Sequence, residues 1–276
     1  MQTSEWVWKT SDGLEICSRA WLPDGAARGV ICLVHGVGEH IGRYVWDAEA
    51  FTAAGYILAG FDQRGYGQSQ GQRGYVRSFE VYFDDIDAFL GEVTRRWPDQ
   101  KRFLYGHSMG AILVLAYTPV RKPRIAGVIA TAPGLKSSVE EQKGKVALAK
   151  VLGQLMPALS MDNGIDVNAI CRDPKVVEAY LNDPLVHRRV TTGWGKAMLD
   201  DIALAFKHAG SFPQPLLLMH GGNDEIAYPS SSTAFAELAP KDKVTLKIWD
   251  GFKHELHTDP ERAQVFKVMV DWLDQH

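Results

Sequence analysis

The sequence predicts an α/β fold: a mostly parallel sheet with helices on both faces. Three observations predict it. Short continuous apolar runs, such as Val30-Ile31-Cys32-Leu33-Val34 and Leu216-Leu217-Leu218-Met219, read as strands buried on both sides. Helical patterns lie between these runs, so strands and helices alternate. Polar, glycine-rich loops follow strand after strand, where parallel sheets gather reactive groups beyond their carboxyl ends.

In chain order, residues 5–10 and 14–22 read as two strands around the turn Ser11-Asp12-Gly13. Residues 30–34 form a central strand that ends in His35-Gly36-Val37-Gly38-Glu39-His40. A helix over 45–54 stops at Gly55, and a strand over 56–61 runs into Asp62-Gln63-Arg64-Gly65. Residues 79–97 repeat apolar side chains at helical spacing, among them Phe83, Ile86, Phe89, Leu90 and Val93, and Pro98 closes the helix. The strand at 102–107 leads to a helix ending near Pro119, and 125–132 is another apolar strand. The alternation then lapses. From 135 to 212 no clear buried strand occurs; 146–159 is strongly apolar, and helical stretches lie near 174–181 and 192–209. It resumes with the strand at 216–221, a helix at 231–238, the strand at 244–249 and a helix at 261–273. The expected organisation is a core of residues 1–134 and 213–276, eight strands in all, interrupted by a helical cap insertion over 135–212.

At 276 residues the chain can bury a large core. With a net charge of −3 and no basic run, it offers no nucleic-acid-binding surface. Cys17, Cys32 and Cys171 are odd in number and widely spaced, unlike a disulfide framework or a metal site. The opening Met1–Trp8 lacks a basic stretch followed by an apolar one, so a cytoplasmic location is expected.

The chemistry centres on Gly106-His107-Ser108-Met109-Gly110, with an apolar strand before it and an apolar helix after it. This is the G-x-S-x-G elbow in its structural setting. The strand-to-helix turn is tight, and two residues without Cβ let neighbouring segments approach while the serine hydroxyl is exposed. A serine needs a base in hydrogen-bond reach, and the base needs an acid to orient it. Two later strand-end loops supply them: Asp224, with Glu225 as the competing acid, and His254, with His257 as the competing base and Asp250 and Asp259 near by. The oxyanion of acyl attack needs two donors. The N–H of Met109 is one; Val37 is the choice for the other, with Gly36 and Gly38 as alternatives. His107 reads as a supporting residue, and the Asp62-Gln63-Arg64-Gly65 loop as a charge-assisted tie between loops.

Taken together, these segments resemble the monoacylglycerol lipase and lysophospholipase-like group of α/β-hydrolases, of the serine aminopeptidase S33 type. The resemblance rests on His35-Gly36-Val37-Gly38-Glu39-His40-Ile41-Gly42-Arg43-Tyr44, on Phe61–Ser69 with Gly71-Gln72-Arg73-Gly74-Tyr75, on the elbow, on Asp183-Pro184-Leu185-Val186-His187, and on the loops of Asp224 and His254. It spans nearly the whole chain and is weakest over 136–180. One departure is Ala111, where the group more often has glycine. The resemblance implies an α/β-hydrolase fold, a triad of Ser108, Asp224 and His254, and an oxyanion hole of Val37 and Met109. Gly36, Glu39 and Arg43 are expected at the substrate, the latter two near a polar mouth for a glycerol group. It further implies a small single-chain lipid ester as substrate, with no metal and no organic cofactor. Residues 146–159 are expected to line an acyl channel and to touch a membrane or micelle surface through the cap. Lysophospholipase, general carboxylesterase and serine peptidase activities use the same machinery, and a non-catalytic receptor is a further alternative.

Overall fold

The computed structural model describes residues 1–136 and 151–276. Eight strands form one twisted sheet: β1 (Gln2–Lys9), β2 (Glu15–Leu22), β3 (Val30–Val34), β4 (Ile57–Phe61), β5 (Arg102–His107), β6 (Gly127–Thr131), β9 (Leu216–Gly221) and β10 (Val244–Trp249). Their spatial order is β1-β2-β4-β3-β5-β6-β9-β10. The hairpin β1–β2 pairs antiparallel and joins β4 antiparallel; every pairing from β4 to β10 is parallel.

Every residue of β3, β4, β5 after Arg102, β6 and β9 is buried. That follows from their composition, because successive side chains point to opposite faces and both faces carry helices. Thus Val30, Cys32 and Val34 join one hydrophobic cluster, with α2 (Phe79–Arg96) and α3 (Met109–Arg121). Ile31 and Leu33 join the other, with α1 (Val45–Ala53) and the C-terminal α7 (Arg262–Leu273). Along α2 the buried positions Tyr82, Phe83, Ile86, Phe89, Leu90 and Val93 recur at helical spacing. Burying each such side chain is worth roughly 1.5–3 kcal/mol, so this stripe fixes the helix to the sheet. The helix ends near Pro119 as expected: α3 closes at Arg121, with Pro119 inside its last turn and Lys122 in the left-handed region after it.

Between β6 and β9 lie α4 (Pro174–Asn182), α5 (Thr192–His208) and a two-stranded antiparallel ribbon, β7 (Ser160–Asp162) with β8 (Arg189–Thr191). Both helices match the expected stretches. Each begins on a cap: Asp173 accepts from Lys175 N–H, and Thr191 accepts from Trp194 N–H. Of the apolar run 146–159, residues 151–155 are helical and 146–150 fall outside the described residues. Helix α5 lies on α3, and the Trp194 indole N–H donates to the Met109 sulfur at 3.2 Å. Helix α6 (Pro229–Leu238) joins the α2–α3 side of the sheet through Phe235.

Candidate active site

Ser108 sits between β5 and α3 at φ +54° and ψ −115°, a conformation rare for any residue with a side chain. The surroundings hold it there. Its N–H donates to Thr131 O at 2.9 Å. A Cβ on Gly110 would overlap the Val34 carbonyl oxygen, and one on Gly106 would overlap the Gly110 carbonyl. Only glycine at these two positions lets the start of α3 pack against the end of β3. That packing puts the helix N-terminus, with its partial positive charge, behind the serine.

The three strand-end residues form one hydrogen-bonded chain. Ser108 Oγ lies 2.9 Å from His254 Nε2, and His254 Nδ1 lies 2.7 Å from Asp224 Oδ2. An ionised carboxylate only accepts, so Nδ1 carries the ring proton and Nε2 is left free to accept the serine hydroxyl's hydrogen. The other carboxylate oxygen, Oδ1, accepts from Ile226 N–H at 2.9 Å and Ala227 N–H at 3.0 Å. All three side chains are buried. Burial disfavours both charged forms. The charge of His254 and the hydrogen bonds from His220 and His254 outweigh it at Asp224, which is held well below the usual carboxylate range. At His254 burial is likewise outweighed by the Asp224 charge and hydrogen bond, and the imidazole is raised above its ordinary value.

The loop after β3 forms the facing wall. A Cβ on Gly36 would stand 3.2 Å from the Ser108 Cβ, so this backbone runs directly against the serine. The Gly36 N–H is taken by Glu39 Oε1 at 2.5 Å, which removes Gly36 as an oxyanion donor. Among the described residues, the N–H groups of Val37, Gly38 and Met109 have no acceptor. Gly38 is instead tied outward: its carbonyl accepts from His187 N–H at 3.0 Å. Val37 and Ser108 line one cleft with Ile165, Ile170, Tyr180 and Ile226. Glu39 and Arg43 line it too, but from within the wall. Tyr44 OH donates to Glu39 Oε1 at 2.7 Å. Arg43 donates to Glu39 Oε2 at 2.8 Å and, with both terminal nitrogens, to Glu255 at 2.7 and 2.9 Å. Glu255 directly follows His254, so Arg43 clamps the β3 loop to the histidine loop. Burial raises Glu255, yet the Arg43 charge outweighs it and leaves the carboxyl at about 2.

The competing residues stand elsewhere. Glu225 is exposed, and Asp259 pairs with Arg172 at 2.6 Å. His257 stacks on Tyr44 with ring centroids 4.7 Å apart, and neither of its nitrogens has a hydrogen-bond partner. Burial lowers it to about 3, so it stays neutral. His107 packs 5.1 Å from His254, donates or accepts at Thr131 Oγ1 over 3.1 Å, and is also lowered to about 3 by burial. Arg64 ties its loop to α2 through Asp85 at 2.6 Å and to the β1–β2 turn through Asp12 at 2.8 Å, whereas Asp62 accepts from Ile41 and Gln68 N–H. Two features escaped the sequence reading: the Arg43–Glu255 clamp, and His220, whose Nε2 lies 3.0 Å from Asp224 Oδ2. A histidine four residues before the expected acid, at a strand end, was the available signal for the second. All three cysteines are free, and no cluster of potential metal ligands occurs among the described residues.

Comparison with known proteins places this geometry in a lineage. Residues 25–261 match the family described as serine aminopeptidase, S33. The chain belongs to this family of α/β-hydrolases. It is 32% identical over 265 residues to the monoacylglycerol lipase of Mycolicibacterium smegmatis, covering 96% of this chain and 94% of that one. It is 32% identical to the phospholipase YtpA of Bacillus subtilis, covering 90% and 95%. The crystal structure of Paleococcus ferrophilus monoacylglycerol lipase superposes with a TM-score of 0.84 at 35% identity, covering 99% of this chain and 98% of that one.

Proposed function

We propose that this protein hydrolyses monoacylglycerols or similar single-chain lipid esters through an acyl-enzyme. The observation that carries the reaction type is the unbroken Ser108–His254–Asp224 hydrogen-bond chain beside an unfilled pair of backbone donors. The substrate class is supported by full-length similarity to two monoacylglycerol lipases, one at 32% and one at 35% identity. Ser108 Oγ attacks the ester carbonyl carbon as its proton passes to His254 Nε2. Asp224 holds the imidazole and stabilises its cation. The N–H groups of Val37 and Met109 take the oxyanion. Collapse expels the alcohol, which leaves with the proton from His254; water, deprotonated by His254, then releases the fatty acid and restores Ser108.

In the same proposal, Gly36 permits close approach of the reacting carbonyl, and Glu39 and Arg43 form the polar wall against which the glycerol end rests. Residues 135–212 act as the cap over the core of 1–134 and 213–276. Val151, Leu155, Met156, Leu159 and Met161 are exposed on it, an apolar set suited to transient contact with a membrane or micelle surface. Among the described residues no helix is long and apolar enough to cross a membrane. A cytoplasmic location goes with this reading.

Hydrolysis of 1-monoacylglycerols of graded chain length, by the wild type and by Ser108→Ala, tests the proposal. Activity on monoacylglycerol that vanishes in the variant supports site and substrate together. The Bacillus relative's name favours a second reading, lysophospholipase activity on the same machinery. A lysophospholipid and an aminoacyl-arylamide therefore run alongside. Turnover of either without monoacylglycerol turnover keeps the site and overturns the substrate.

A further inference from the structure

We propose that His220 is a positioning residue for the reaction: it fixes the rotation of the Asp224 carboxylate and tempers the charge that Asp224 presents to His254. This rests on the reading of Ser108, His254 and Asp224 as the reactive chain. Asp224 Oδ2 faces two imidazoles, His254 Nδ1 at 2.7 Å and His220 Nε2 at 3.0 Å. The side chains of His220 and Asp224 are both wholly buried. No solvent reaches Oδ2 to replace a lost donor.

The hydrogen of His220 can be placed from its partners. Nε2 faces two acceptors, Asp224 Oδ2 and, at 2.9 Å, the Ala227 carbonyl; it therefore carries the hydrogen. Nδ1 faces the Ser232 hydroxyl at 2.7 Å, which donates to it. Ser232 is on α6, and His220 is the penultimate residue of β9, so the ring is held between two rigid elements. The acid loop is thereby referenced to the sheet through a side chain as well as through the backbone donors of Ile226 and Ala227.

Two effects follow. Without the His220 donor, one lone pair of Oδ2 is bare in a dry site, and the carboxylate can shift slightly off its hydrogen-bond line while its charge stays beside the His254 ring. Small misplacements of this kind cost rate out of proportion to their size. The carboxylate charge is also no longer shared, so it acts more fully on His254 and favours the imidazolium. Among the described residues, the other charged groups acting on His254 are Glu255 and Glu39, with His107 against its ring and Arg43 acting on His107. None of them is altered by a substitution at 220.

The test compares His220→Leu and His220→Gln with the wild type on a monoacylglycerol, following kcat, KM, the pH profile and thermal unfolding. The expected result is a loss in kcat of about tenfold or more for His220→Leu with KM nearly unchanged, and substantial recovery in His220→Gln, whose amide can donate. The acid limb of kcat/KM should move to higher pH in His220→Leu, because a more basic His254 must lose its proton before it can act. Wild-type-like kcat in both variants overturns the proposal. So do equal losses in both with an unmoved acid limb, since that pattern reports packing alone. If His220→Leu does not fold, His220→Gln and Ser232→Ala carry the test through the same pH readout. Activity surviving in Ser108→Ala would instead sink the underlying reading of the site.

Discussion

The strand-end loops and the segment that spans 151–212 are built on opposite plans. Around Ser108 the polar groups are buried, and most are wired twice: Asp224 to two histidines and two backbone donors, Arg43 to two glutamates on different loops. The spanning segment instead leaves Leu155 three-quarters exposed and Met156 more than half exposed. Where positions must hold to fractions of an ångström, the molecule uses short hydrogen bonds between rigid strand ends. The spanning segment leaves apolar side chains exposed, as the proposed contact with variable apolar chains would ask. Substitutions in the two regions should therefore fail differently.

The largest effect is expected at Asp224. Asp224→Asn keeps the shape but removes the charge and favours the wrong imidazole tautomer; kcat should fall by roughly 10⁴, as in other enzymes of this chemistry. Thermal unfolding should move far less than activity. A loss under tenfold would mean that His254 does not depend on this acid.

Arg43→Met tests the wiring itself. It strands Glu39 and Glu255, each less than a twentieth exposed, without their cation. Breaking a buried ion pair from one side costs about 3–5 kcal/mol, to be read as a drop in urea midpoint. An unchanged midpoint would show that the clamp is replaced by water. Gly110→Ala should cost somewhat less, about 1–3 kcal/mol for overpacking, because its Cβ would meet the Val34 and His35 carbonyls. Gly91→Ala, where a Cβ meets nothing within 4 Å, is the control.

These residues also mark how far the sequence could be read. Val30–Val34 was legible to the residue because a strand buried on both faces must be continuously apolar. Ser108 and Asp224 could be located because each follows such a run; His254 follows β10, a half-exposed edge strand, and was found from its place after a strand and its order after the acid. The Arg43–Glu255 pair was not, since its partners lie 212 positions apart and depend on how two loops meet. The ribbon of β7 and β8 left no signal because three-residue strands, one of them mostly exposed, have little buried face to pattern. The end of α3 near Pro119 was legible because a proline is poorly tolerated deeper in a helix; here it stands in the last turn.

A pH profile sharpens the picture without changing a residue. In the proposed reaction His254 must be neutral to accept the serine proton, and its folded value is raised. Activity should therefore be complete at alkaline pH and fall as the pH drops through that raised value, above the 6.5 of a free imidazole. His107 and His257, lowered to about 3, add no second limb in this range. A midpoint below that of free imidazole would mean that burial outweighs the Asp224 charge.

The smallest effect on stability, and the one that best separates the two regions, is expected at the exposed apolar set. Leu155→Asp and Met156→Asp remove no packed contact of consequence, so unfolding should shift by no more than about 0.5 kcal/mol. Yet in the proposed reading each places a charge where an acyl chain or lipid surface rests, and burying an unpaired charge there is costly. Long-chain monoacylglycerol turnover should fall while short-chain ester turnover holds, with kcat/KM compared across chain lengths. Equal losses at every length would tie these side chains to the site's geometry rather than to the lipid. The contrast between a wired floor and a loose apolar cover would then be wrong.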